Sequence, residues 1–169
     1  MPFVEVFSSP GTPRPEQREQ IAERMVAEVM AGEGAPDTEF ARSISWLVWH
    51  EIAAWRIGGE AIGADQPPRY FVRVTMPEES LTDEKREAVV RRVTRVLADA
   101  DDDPERFYTS AAAFVLITVS PDGDWGGVGQ IVRFNQIANY VMTGSLEPLK
   151  RADVEQLVNA GPTWEEARS

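Results

Sequence analysis

Cysteine is absent from this sequence, which excludes disulfides, thiolate metal sites and a cysteine nucleophile together. Histidine occurs once, as His50, too few for a histidine-rich metal centre. Long apolar runs are missing as well: nothing approaches the roughly 18 continuous apolar residues of a membrane span, and no basic stretch followed by an apolar one marks a secretory leader. These absences read as a cytoplasmic protein with no membrane partner. Basic residues are few beside acidic ones, 17 against 28, and the resulting net charge of −11 repels phosphate backbones and anionic lipid. Nucleic acid is therefore not an expected partner, and a small anionic substrate needs a local cluster of cations. The run "KREAVVRRVTR" at 85–95 is read as the solvated polar face of an amphipathic helix, its arginines set among abundant acids.

What is present is a repeat. At an offset of 68 residues, Phe3-Val4-Glu5-Val6 falls on Phe71-Val72-Arg73-Val74, Glu16, Arg18, Glu19 and Arg24 fall on Glu84, Arg86, Glu87 and Arg92, and Pro36 falls on Pro104. Without a gap, Gly58-Gly59 then falls on Gly126-Gly127. Two units follow, residues 2–62 and 69–131, joined by "QPPR". In each, an alternating or continuous apolar run ("FVEVF", "YFVRVT") predicts a strand. A segment with apolar residues at helical spacing comes next, at 21, 22, 25, 26, 29 and 30 and at 89, 90, 93, 96 and 97. Pro15 suits the first turn of the first helix, and Thr82 with Asp83 and Glu84 caps the second. "SISWLVWHEI" and "SAAAFVLITVS" supply second strands, the latter apolar enough to be buried on both faces. The expected fold is α/β (α+β): two tandem β-α-β units with parallel strand pairs, forming a four-stranded sheet with both helices on one face. At 169 residues one domain suffices; residues 1–131 make it, and 132–169 form an extension packed on it. Residues 152–159 are a candidate short helix, ended by Gly161-Pro162.

Pro2 at the head of the first strand, the two-unit repeat, and "WRIGGE" at 55–60 with "DWGGVGQ" at 124–130 together resemble the tautomerase superfamily. The likeness is to members in which two 4-oxalocrotonate-tautomerase-like β-α-β units are fused, and it spans residues 2 to about 131. It implies that Pro2, freed by removal of Met1, presents a secondary amine whose pKa burial depresses. Such an amine serves as a general base in enol–keto tautomerisation without a cofactor or metal. The aligned Tyr70 is internal, so only one unit carries a prolyl base.

The resemblance also implies a small carboxylic acid substrate held by arginines. The usual positions are poorly matched: Arg14 stands near one, Trp46 occupies another, and "MPEESLTDE" before the second helix holds no arginine pair. Arg42 and Arg73 are the best remaining cations, with Glu5 as an alternative cross-strand partner for Arg73. Glu39, three residues past Pro36, matches the catalytic aspartate of malonate semialdehyde decarboxylase, and His50 is a candidate donor. Trp55 and Trp125 match the aromatic that walls the prolyl site. Trp46 and Trp49 are assigned to packing. The leading expectation is a tautomerase acting on a 2-oxo or enol acid. The alternatives are a Pro2-dependent dehalogenase or decarboxylase of a three-carbon acid, and a non-catalytic binding protein. An apolar sheet face left uncovered calls for a partner surface, and the resemblance implies that a homotrimer supplies it.

Overall fold

The computed structural model describes residues 2–10 and 13–159; Met1, Gly161 and Pro162, which the sequence reading used, lie outside them. β1 (Phe3–Ser8) alternates half-buried and buried residues, the signature of a strand packed on one face. α1 (Pro15–Glu33) follows, with Pro15 in its first turn and Gly34 ending it at φ 76°, a left-handed conformation that glycine adopts without a Cβ clash. A short helix, α2 (Glu39–Ser43), leads into β2 (Trp46–Glu51) and a hairpin, β3 (Trp55–Ile57) and β4 (Glu60–Ile62). The second unit runs the same way. It comprises β5 (Tyr70–Pro77), α3 (Asp83–Asp99), α4 (Arg106–Thr109), β6 (Ala113–Ser120) and a hairpin of β7 (Gly126–Gly127) and β8 (Gln130–Ile131).

The four long strands form one mixed sheet in the order β2-β1-β5-β6. β1 pairs parallel with β2 and β5 parallel with β6, while β1 and β5 run antiparallel at the centre. The two units are thus related by a pseudo-twofold, and the heads of β1 and β5 lie at opposite ends of the sheet. Val4, Val6, Val72, Val74 and Met76 point to one face and are fully buried with Ile21, Met25 and Val29 of α1 and Val89, Val93 and Val96 of α3. Each such side chain contributes about 1.5–3 kcal/mol on burial. The helices cross closely where Gly32 meets Val89: a Cβ on Gly32 would stand 3.1 Å from the Val89 backbone.

The opposite face is open. Register sets its side chains in rows across the strands: Trp46, Phe3, Thr75 and Thr118, then Val48, Glu5, Arg73 and Leu116, then His50, Phe7, Phe71 and Phe114. Trp46 (63% exposed) and Phe114 (66%) dominate its rim. The face is not uniformly apolar, since its middle row carries an ion pair.

One alignment in the sequence reading needs correction. The hairpin turns are Gly58-Gly59, at φ 59° and 91°, and Val128-Gly129, at φ 48° and 79°, so these pairs correspond, and Gly126-Gly127 is β7. Two extra residues between β6 and β7 shift the offset to 70 and set Trp125 opposite Trp55. Two successive positive φ values belong to the tight turn whose twist suits a hairpin.

After β8 the chain forms α5 (Phe134–Thr143), ended by Gly144 at φ 76°, and α6 (Arg151–Asn159). Phe134, Ile137, Ala138 and Val141 are its buried side, an i, i+3, i+4, i+7 stripe. With Met30, Ala41 and Val132, residues Ile137 and Val141 make a second apolar cluster, against which Ile44, Trp125 and Leu146 pack. α6 is held where the buried Lys85 ammonium donates to the Val158 and Ser80 carbonyls, and burial lowers the pKa of that amine. Among the described residues no helix is long and apolar enough to cross a membrane.

Candidate active site

Pro2 is buried at the head of β1, and its carbonyl accepts the Trp46 backbone N–H at 3.2 Å. The next residue in the chain, Phe3, and the strand partner Trp46 both line a pocket of about 560 Å³. Trp125 and the 126–128 segment of the second hairpin form another wall. Ile137 and Tyr140 of α5, with Leu146 just beyond and Ile44 after α2, complete the lining. The extension outside the repeat therefore builds part of the cavity beside Pro2. Only Trp46, Trp125 and Tyr140 bring polar side-chain atoms to the lining. The Trp46 indole N–H is spent on the Ser43 carbonyl, while that of Trp125 is buried without a partner.

α5 is docked by α2. Thr38, the N-cap of α2, accepts the Ala41 N–H and donates its hydroxyl to the Val141 carbonyl. The Phe40 and Tyr140 rings meet edge to face with centroids 6.0 Å apart, and Phe40 lies over Gly144, where a Cβ would come within 2.6 Å of its ring.

The anticipated polar residues are distributed otherwise. Arg14 precedes α1, at the far end of β1 from Pro2, and grips Asp102 with two bonds of 2.8 and 3.0 Å. Those bonds, and then the charge itself, hold the Asp102 carboxyl below its ordinary pKa. Arg42 is on the Pro2 side but is clamped to Asp37 at 2.5 and 2.7 Å, lowering the Asp37 pKa chiefly through those bonds. Arg73 stands 3.3 Å from Glu5, its partner across the strands, with its guanidinium 5.5 Å from the Phe7 ring centre. Glu39 is exposed in the first turn of α2 and is not part of the pocket wall.

His50 pairs in register with Phe7, four residues beyond the Phe3–Trp46 pair, or about 13 Å along the strand. It stacks on the Phe7 ring and lies 3.6 Å from Glu5. Parallel pairing is the reason: β2 begins beside Pro2 and carries its end away. Trp55 sits in the first hairpin, paired with Ile62, so of the two matched tryptophans only Trp125 reaches this pocket. Trp46, assigned to packing from the sequence, is a pocket wall. The helical stripe of 134–143 was the signal for α5; nothing local marked Ile44, Val128 or Leu146. Among the described residues no group of three His, Asp or Glu side chains is placed to hold a metal ion. The basic run of α3 is paired internally, Arg92 and Arg95 with Glu28 and Arg91 with Glu87.

By sequence the chain matches no protein-family profile and no curated protein. By structure it does match. N1, a member of the cis-3-chloroacrylic acid dehalogenase family, superposes with a TM-score of 0.63 at 15% identity, covering 92% of this chain and 97% of its own. Pt0534 inactivated by 2-oxo-3-pentynoate gives 0.61 at 21% identity over 76% and 94%. The F6 wild-type fused 4-OT, an asymmetric trimer, gives 0.59 at 19% identity over 83% and 98%. This chain has the fold of these solved structures. The repeated β-α-β elements and mixed sheet are arranged as in the fused 4-OT, and at these identities the likeness speaks for architecture rather than for one reaction.

Proposed function

We propose that the chain is a cofactor-independent tautomerase in which the Pro2 amine, once Met1 is removed, is the general base. The observation that carries this reading is that the buried Pro2 precedes Phe3 and accepts the Trp46 N–H, and both of those residues line an apolar pocket. An apolar setting disfavours the prolyl ammonium and lowers its pKa toward neutrality. The neutral amine then takes a proton from the carbon next to a carbonyl, and the resulting ammonium returns it to the other end of the enolate. Trp125 and Tyr140 supply aromatic walls to that pocket. The hydration variant needs a carboxylate facing the pocket, and Glu39 gives it no support. The same reading takes residues 1–131 as one domain with the extension folded upon it. It also takes the open face, with Trp46, Phe114 and Leu116 exposed, as covered by two further copies in a homotrimer.

Intact mass and N-terminal peptide mapping test the premise, and enol–keto proton transfer on an aryl carbonyl compound by wild type and Pro2→Ala tests the chemistry. Loss of Met1 and loss of turnover in the variant are expected. Retained Met1 would lock the nitrogen in an amide and return the chain to a non-catalytic binding role. A monomer by light scattering would remove the trimer.

A further inference from the structure

We infer that the pocket beside Pro2 selects an uncharged carbonyl compound with an aromatic or comparably apolar body, rather than a carboxylate. The inference rests on the Pro2 reading for its chemistry but not for its binding. Its volume, about 560 Å³, lies in the range of small-molecule sites. No lining residue is charged, and every polar lining side chain is aromatic. Three cations on the elements that build the pocket or the sheet beside it are committed elsewhere: Arg42 to Asp37, Arg73 to Glu5, and Arg133 at the start of α5 to Asp122. A carboxylate entering here would lose its hydration with no fixed positive charge from the pocket's own chain in return, within a chain of net charge −11.

The lining also shows a positive preference for apolar contact. Val128 holds φ 48°, the one non-glycine positive φ among the described residues, where the first hairpin has Gly58. A β-branched residue is disfavoured in that conformation, and backbone strain of this kind gathers at ligand sites. Here it places an isopropyl group, 79% exposed, on the pocket rim. Tyr140 and Ile137 come from α5, so the specificity wall belongs to the extension rather than to the repeat.

Phenylacetone and phenylpyruvate share the aryl-methylene-carbonyl body and differ in bearing a methyl or a carboxylate, which makes them a matched pair. Calorimetric titration of the native protein at neutral pH is expected to give phenylacetone an affinity at least about tenfold higher. Val128→Gly, which relieves strain and should fold, is expected to weaken phenylacetone severalfold, and Tyr140→Ala to do the same. Equal or tighter binding of phenylpyruvate, or no binding of phenylacetone at millimolar concentration, overturns the inference. Exchange of the α-hydrogens of phenylacetone with deuterium, followed by NMR, separates the two claims. Tight binding without exchange supports the selectivity and defeats Pro2 as base, while exchange abolished by Pro2→Ala supports both.

Discussion

The Thr38 hydroxyl donates to the Val141 carbonyl while accepting the Ala41 N–H, so one side chain both caps α2 and ties α5 across the pocket. Replacement by valine keeps the volume and removes both bonds. Loss of the cap costs about 1 kcal/mol, and the carbonyl left without its donor costs about 1 kcal/mol more. Urea unfolding of Thr38→Val should show a loss of roughly 2 kcal/mol together with weaker binding in the pocket. An unchanged midpoint would mean that α5 is held by ring packing alone.

Gly32 has a different role, as a point of close approach. With the Val89 backbone 3.1 Å from a built Cβ, Gly32→Ala drives α1 and α3 apart despite the better helix propensity of alanine. A net loss of about 1–2 kcal/mol is expected, overpacking outweighing propensity. A rise in thermal midpoint would show that the helices separate without strain.

Val128→Gly should move stability the other way. Relief of left-handed strain is worth about 1–2 kcal/mol, offset by about 0.4–1 kcal/mol of unfolded-state entropy. A small net gain in denaturant midpoint is expected, alongside the loss of ligand affinity. Destabilisation would mean that the valine packs on its own chain rather than waiting at the rim.

Tyr70 aligns with Pro2 in the repeat but is internal and buried against Trp49 and Phe107. Burial, with a smaller contribution from the Asp101 charge, raises its pKa well above the ordinary tyrosine value of 10.0. Above that ordinary value the unfolded chain loses the phenolic proton while the folded protein keeps it. The unfolded state then binds fewer protons, and stability falls as pH rises, by at most about 1.4 kcal/mol per unit. The stabilisation is whole below the ordinary tyrosine range. Unfolding followed from pH 9 to 11, about one unit either side of the ordinary tyrosine pKa, should show this slope in wild type and a flatter one in Tyr70→Phe.

The sheet was legible because its signal is local: Val4, Val6, Val72 and Val74 alternate with half-buried neighbours, and the repeat supplied the pairing of units. The cross-strand Glu5–Arg73 pair was available as an alternative for the same reason. The hairpin register was misread because the identical Gly-Gly pairs drew the alignment two residues off, and because a left-handed Val128 breaks the rule that such turns need glycine. α5 went unread, although it carried a stripe from Phe134 to Val141 and a glycine stop at 144. The pocket did not: Ile44, Trp46, Trp125, Tyr140 and Leu146 come together only in the fold, and an apolar wall bears no mark that separates it from core. Arg14 was placed by the family position it stands near and His50 as a donor toward the end of a strand, and strand direction carried both away from Pro2.

The most direct test of Pro2 as an activated amine is labelling by an uncharged acetylenic ketone, read by intact mass and peptide mapping. A single adduct on the Pro2 nitrogen is expected, absent in Pro2→Ala and slowed by phenylacetone. An unmodified N-terminus with Met1 removed and the fold intact, or labelling confined to Lys85 and Lys150, would contradict it.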